Sequence, residues 1–404
     1  MDKDLHRRLQ RLGVVKGFRN LAPRPTPLPL RPLPGSERAT AHGPVWIIEA
    51  TYPGEHRHGA YPLGDLDALP ASALPLLGAP ELGPRPAFLD TETTGLSGGA
   101  GTLAFLIGVG IWGPEGLTLH QLFLRDPTAE GATLRYLTAL LDQATGLVTF
   151  NGQGFDLPLL ETRYVLQRQP PAALARPHLD LLRVARQLWR DHLPSRRLVA
   201  LETDVLEITR SEEDLPSSLI PTLYREYLQT GDPREMTRIL YHNAVDILSL
   251  VTLLVHAGRL ITEPERCVTG AGEWLGVGRL HAQAGDDAAA RAAWEQALEA
   301  DTLPHDTAAR VWRELALRHK RAGEWESALA LWTAWADRQP RAIEPHIERA
   351  KYFEWQAHDC AAALRETEIA LERLSGLPRG LHHQRSRHEL RHRQARLQRK
   401  LEIA

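Results

Sequence analysis

At 404 residues, 43% apolar and 24% charged, the chain is too long for one ordinary domain and too apolar to be disordered. Its net charge of −2 excludes a nucleic-acid partner only as an average, because residues 1–80 sum to +3, 81–260 to −5, 261–376 to −6 and 377–404 to +6. Two cysteines, Cys267 and Cys360, without a CxxC pair argue against a disulfide scaffold, and the start lacks the apolar core of a signal peptide. A soluble, cytoplasmic protein is expected, with the apolar run Leu103–Trp112 taken as the longest and far short of a bilayer span.

In chain order, Leu5, Leu9, Leu12 and Val15 at helical spacing among basic residues predict a short helix, followed by a stiff proline-dense stretch from Pro23 to Pro34. Residues 45–52 read as a strand, and His56 and His58 in the next loop are weak candidates for a metal. Residues 87–90, 103–112 and 117–124 read as three successive strands, which suggests an antiparallel meander. A helix over 128–143, a strand over 146–150, a helix over 155–169 and a short strand at 178–180 complete a mixed α/β sheet with flanking helices. The chain is mainly helical beyond that, with a long helix from about 233 to 260.

From residue 270 the sequence repeats. Ala284-Gly-Asp, Ala322-Gly-Glu and Ala357-His-Asp open turns at offsets of 38 and 35 residues. Five positions after each turn residue stands a small one, Ala290, Ala328 or Ala363, and Gly278 and Ala316 stand one helix earlier. Helical hairpins stacked through these small residues resemble tetratricopeptide repeats, with His358 replacing the third turn glycine and Lys351 a small residue. Trp294, Trp312, Trp325, Trp332, Trp335 and Trp355 are expected mainly in the core between these helices. Residues 384–401, rich in arginine, form a basic helix that either caps the repeats or contacts phosphate. Expected segments are therefore 1–80, 81–262, 263–376 and 377–404.

The chemistry lies in three stretches. Phe88-Leu-Asp-Thr-Glu-Thr-Thr-Gly95 places two carboxylates, Asp90 and Glu92, on one side of a strand end, where a hard divalent cation is the natural guest. Thr149-Phe-Asn-Gly-Gln-Gly-Phe-Asp156 runs from a strand through a glycine-bearing turn to a helix N-terminus. Tyr241-His-Asn-Ala-Val-Asp246 lies on the long helix.

Together the three resemble the DEDD superfamily of 3′-to-5′ exonucleases, on the ribonuclease-H-like fold, and His178-Leu-Asp, Arg210-Ser-Glu-Glu-Asp-Leu-Pro and His242-Asn-Ala-Val-Asp resemble its YprB-type branch. The resemblance implies two Mg²⁺ or Mn²⁺ ions on Asp90, Glu92, Asp156 and Asp246, Asp90 bridging. Thr93, Asn151, Phe155, Tyr241 and Asn243 are then expected on the substrate side, facing single-stranded DNA or RNA. The third motif departs from the two familiar subclasses. At about 100° per residue, His242 lies about 40° from Asp246 around the helix and Tyr241 about 140°, so His242 is the expected partner of the attacking water. The departure also leaves open a weakly active or inactive nucleic-acid-binding protein whose repeats recruit a protein partner.

Overall fold

The computed structural model describes residues 33–95, 101–211, 214–299, 303–376 and 381–403. The predicted helix at 4–19 and most of the proline-dense stretch lie outside the described residues.

A seven-stranded mixed sheet forms the body of the first half. Its strands are β1 (Ser36–Thr40), β2 (Gly43–Tyr52), β5 (Pro86–Thr93), β6 (Ala104–Gly113), β7 (Gly116–Phe123), β8 (Gly146–Thr149) and β9 (His178–Asp180), in the order β1-β2-β7-β6-β5-β8-β9. The short strands β3 (Arg57–His58) and β4 (Tyr61–Pro62) pair separately. Strands β5, β6 and β7 form the expected antiparallel meander, and β8 and β9 add in parallel. The expected boundary at residue 81 falls inside this sheet, because β2 pairs along β7 from Trp46 to Tyr52.

Alternation along β5 sorts its side chains to two faces. Phe88 joins the core beneath the long helix, whereas Ala87 and Leu89 join the opposite core with Leu134, Leu137, Leu160 and Tyr164. After the short helix α1 (Ala73–Leu76), that opposite layer is built by α2 (Glu130–Leu141) and α3 (Asp156–Leu166). Between β9 and the long helix lie α4 (Leu181–Leu188), α5 (Leu198–Asp204) and α6 (Ile220–Thr230).

The long helix, α7 (Arg234–Thr262), has apolar positions all round and is buried along most of its length. Among the described residues it, rather than Leu103–Trp112, is the helix long and apolar enough to cross a membrane by length and composition, and with 89% of that stretch buried it serves here as the central core helix. Two glycines in β6 let it lie close: a Cβ on Gly110 would stand 2.8 Å from Ile247 Cγ2, and one on Gly108 would stand 2.3 Å from Asn243 Oδ1.

After α8 (Pro264–Cys267), the second half is helical: α9 (Ala271–Gln283), α10 (Asp287–Glu299), α11 (His305–Arg321), α12 (Trp325–Arg338), α13 (Glu344–Trp355), α14 (Cys360–Ser375) and α15 (Leu381–Ile403). The turns repeat in conformation as well as in sequence. Gly285 (φ 84°), Gly323 (φ 78°) and His358 (φ 53°) all occupy the left-handed region, so histidine fills the third glycine position at a conformational cost. Ala290, Ala328 and Ala363 are fully buried at the helix crossings, and a Cβ on Gly278 would meet the Trp294 indole at 2.2 Å. Trp294, Trp312, Trp332 and Trp335 are core residues, whereas Trp355 is half exposed beneath the Arg393 guanidinium.

The two halves share one core. Val277, Leu280 and Ala293 join the cluster containing Leu188 and Leu254, and a Cβ on Gly276 would stand 2.3 Å from the Leu188 carbonyl oxygen. Trp189 Nε1 donates to Glu273 at 2.8 Å across the same seam. At the far end, Arg393 and Arg396 on α15 donate to Glu354 at 2.7 Å each and Lys400 at 3.1 Å. Leu390 and Leu397 are buried on that face, while Arg385, Arg387, Arg391 and Arg399 are exposed. The basic helix thus caps the repeats with one face and presents cations on the other.

Candidate active site

The site forms where β5 ends between the two helical layers. Asp90 and Glu92 share the α7 face of the strand with Phe88, and Thr91 points to the α3 side. Thr91 Oγ1 donates to Asp156 Oδ1 at 2.5 Å, which draws the first residue of α3 to the strand. The turn before α3 is fixed by Asp180, whose carboxylate accepts from the backbone N–H groups of Asn151 (2.7 Å), Gln153 (3.2 Å) and Leu182 (3.0 Å). Those bonds hold Asn151 in the left-handed region at φ 65°. A Cβ on Gly152 would meet Thr149 Oγ1 at 2.4 Å, so the Asn-Gly pair is a geometric requirement of the turn.

Asn243, fully buried, donates from Nδ2 to Asp90 Oδ2 at 2.9 Å and accepts from Gln121 Nε2 at 3.0 Å. Expected on the substrate side, it instead lies beneath Asp90 and orients it, because its place on α7 faces Gly108. His242 Nδ1 pairs with Asp214 Oδ1 at 2.7 Å, leaving Nε2 3.6 Å from both Glu92 Oε1 and Asp246 Oδ2. Glu92, His242 and Asp246 can each offer a ligand atom within 4.8 Å of the others. The Tyr241 hydroxyl accepts from the Ser211 backbone N–H at 3.2 Å.

Burial raises the proton affinity of all four carboxylates. Asp90 is held well above the usual carboxylate range by burial, then by Asp246 and Asp156, and Glu92 by burial, then by Asp90, Asp246 and Asp156. Burial pushes Asp156 up to about 6 against the Thr91 hydrogen bond. Asp246 is also raised by burial, with His242 and Arg210 pulling it back. Four such groups cannot all ionise together without cations, and their hard oxygen donors suit Mg²⁺ or Mn²⁺.

Two clefts flank the cluster. One, of about 270 Å³, is lined by Asp90, Thr93, Asn151, Phe155 and Asp156, with Phe155 59% exposed at its mouth. The other, of about 680 Å³, is lined by Leu198, Val199, Arg210, Ser217, His242 and Asp246. Thr93, Asn151 and Phe155 stand beside an open cleft.

Residues 87–258 match the RNase_H superfamily. Over 334 residues, 80% of this chain and 80% of the relative, the sequence is 31% identical to the uncharacterized protein YprB of Bacillus subtilis (strain 168). The chain belongs to the YprB family. Its sheet-and-helix half is a ribonuclease-H superfamily domain, which supports nuclease-type chemistry.

Several residues of this YprB family site carried no assigned role in the sequence. Arg210 donates through Nε and Nη2 to Glu202 at 2.6 Å each, and Nη2 also reaches Asp246 Oδ1. Glu202 is fully buried and accepts from Ser249 Oγ at 2.6 Å, and Ser249 lies 2.8 Å from His58 Nε2. His58, a weak metal candidate by sequence, is thus the far end of a hydrogen-bonded chain to the carboxylates. The local pattern gave little signal: Ala200-Leu-Glu-Thr-Asp-Val-Leu206 carries both Glu202 and Asp204, and nothing in it marks Glu202 as the buried one.

Proposed function

We propose that this protein is a metal-dependent 3′-to-5′ exonuclease of the DEDD type acting on single-stranded DNA or RNA. The observation that carries the reading is the convergence of Asp90, Glu92, Asp156 and Asp246, all with burial-raised proton affinity, at one strand end beside His242. Those four carboxylates would hold two Mg²⁺ or Mn²⁺ ions. Bound there, the ions supply a nucleophilic hydroxide at neutral pH and stabilise the departing 3′ oxygen.

The chain's own groups do the rest. Asn243 fixes Asp90 and Thr91 fixes Asp156, so neither carboxylate needs to reorganise on loading. Asp214 on Nδ1 sets the His242 ring so that Nε2 faces the cluster, where it can take the proton of an attacking water. Phe155, exposed at the mouth of the smaller cleft, offers a face on which a terminal base can stack. Asn151 and Thr93 flank the same space. The exposed arginines of α15 are candidates for phosphate contact, and the repeats for holding a protein partner.

One observation favours a competing reading, a nucleic-acid-binding protein with little activity: the Arg210 guanidinium already engages Asp246. The two are separated by incubating 3′- and 5′-labelled DNA and RNA oligonucleotides with Mg²⁺ or Mn²⁺, with wild type against Asp90→Ala. Stepwise loss from the 3′ end, reduced about a hundred- to a thousandfold in the variant, is expected. Binding without Asp90-dependent degradation of any substrate would leave the competing reading. In the same assay His242→Ala is expected to slow turnover more than Tyr241→Phe, and equal turnover in the two would remove His242 from its role.

A further inference from the structure

Two arginines line the larger cleft, and they are differently employed. The Arg210 guanidinium is taken up by Glu202 and Asp246. Arg197 stands exposed just before α5, and among the described residues nothing accepts a hydrogen bond from its guanidinium or pairs with it. Its backbone is nonetheless fixed. The N–H donates to Ser195 Oγ at 3.3 Å, and the carbonyl accepts from the Ala200 and Leu201 N–H groups at 3.0 Å each. The rest of α5 is anchored from beneath by Leu201 and Glu202, both fully buried, so that Val199 and Thr203, four residues apart, line the cleft together. Val199 is 51% exposed there. A free guanidinium and an exposed apolar side chain thus share one rigid wall that runs to His242 and Asp246, in a segment that is otherwise net acidic.

Removing a nucleotide from a 3′ end needs room on both sides of one phosphate. Water adds to phosphorus, the bond to the 3′ oxygen of the penultimate nucleotide breaks, a proton of the water ends on that oxygen, and the last nucleoside leaves with the phosphate. The smaller cleft, with Phe155 at its mouth, reaches the carboxylates from the Asp156 side, and the larger cleft reaches them from the Asp246 side. We propose that the larger cleft is the track for the strand on the 5′ side of the scissile phosphate, with Arg197 on the next internucleotide phosphate and Val199 under the penultimate base. This rests on the exonuclease reading, which places the terminal nucleotide at Phe155. A guanidinium suits the role because its planar fork meets two phosphate oxygens at once. An apolar contact under a base asks for no particular base, since every base has such a face. The larger cleft is then filled only by a chain of at least two nucleotides, which lets the protein tell a strand end from a free mononucleotide.

The test compares two probes binding to the full-length protein in Ca²⁺: a nucleoside 5′-monophosphate, and a 5′-labelled single strand of about a dozen nucleotides, each as DNA and as RNA. Arg197→Ala is expected to weaken the strand about tenfold, the low end for a charge-assisted contact because the guanidinium is exposed, and to leave the monophosphate unchanged. It should also reduce the salt slope of strand binding by about 0.7, the value for one phosphate. Arg197→Lys should restore the slope but not all of the affinity, and Phe155→Ala should weaken both probes. Equal weakening of both probes by Arg197→Ala would put the terminal nucleotide in the larger cleft and overturn the proposal. So would an unchanged strand affinity in an Arg197→Ala protein whose circular dichroism matches wild type. Oligonucleotide degradation in Mg²⁺ or Mn²⁺ separates this inference from the reading beneath it. A protein that trims 3′ ends while its strand binding ignores Arg197 keeps the exonuclease and loses the track. Arg197-dependent strand binding without any degradation keeps the cleft as a single-strand site and loses the exonuclease.

Discussion

Asp90 owes its position to a residue with no side chain. Gly108 sits opposite it on β6, and the space a Cβ would fill holds the Asn243 amide that bonds Asp90. Gly108→Ala is therefore expected to destabilise the fold by about 1–3 kcal/mol through overpacking and, on the proposed exonuclease reading, to reduce turnover as Asn243→Ala should. In a double-mutant cycle the two should be markedly non-additive in turnover, and full additivity would show that they act separately. At this scale the sequence was legible where residue type limits the chemistry: Asp90, Glu92 and Asp156 could be named from carboxylates at a strand end and a helix N-terminus, whereas Asp246, in the interior of the long helix, was named through the resemblance of the three motifs together. Asn243 was misplaced because its neighbours in sequence, His242 and Asp246, face the carboxylate cluster, while its own direction depends on a glycine 135 positions away. Arg210 and Glu202 went without a role for a related reason. Their pairing is made by the fold, and neither local pattern reveals it.

Among the elements, α7 combines duties that are usually separate. Its first half carries His242, Asn243 and Asp246, and its second half fills the main core while burying His256 against Tyr61 and Trp189. Burial pushes both His256 and His58 down to about 4, and neither Glu273 near the first nor Glu202 near the second offsets it. The unfolded chain binds protons at these groups near pH 6.5, where the folded chain does not. Their contribution to stability is therefore complete above about pH 6.5 and is lost progressively as the pH falls toward 4, by up to about 3 kcal/mol for each histidine. Urea unfolding at pH 7, 6, 5 and 4 should show that decline, and it should be shallower in His256→Asn. An unchanged pH profile in the variant would remove His256 from the account. The extent of α7 was readable from its apolar periodicity, yet its weight in the core was underestimated because Ser249, Thr252 and His256 interrupt the run. Each of these polar side chains is buried, with Ser249 on Glu202, Thr252 on the helix's own carbonyls and His256 on Tyr61.

Across the whole molecule, charge and packing are divided between the ends. The cationic α15 uses Arg393, Arg396 and Lys400 to satisfy Glu354, so the +6 of the last segment overstates what remains for a partner. Truncation after Gly376 should lower the melting temperature of the repeats, and Glu354→Gln should reproduce part of that loss while keeping the cations. If the exposed arginines bind phosphate, truncation also reduces the salt slope of single-strand binding by about 0.7 for each phosphate no longer neutralised. An unchanged slope would leave α15 as a cap alone. The sequence carried the repeats through their turn residues, because a left-handed turn restricts residue choice strongly. It did not carry the seam between the halves, where Gly276 lies on the Leu188 backbone, since that packing joins two helices of different segments.

The pairing of β2 along β7 has a practical outcome for anyone dissecting the chain. A fragment beginning at residue 81 would strip β7 of its neighbour over seven residue pairs, Trp46 to Tyr52 against Phe123 to Leu117, and leave a row of backbone donors and acceptors open to solvent. Such an unprotected margin invites association with other chains. The smallest well-behaved fragment of the ribonuclease-H superfamily domain should therefore begin near Ser36, and the shorter one should accumulate as insoluble material even with Asp90, Glu92, Asp156 and Asp246 all present.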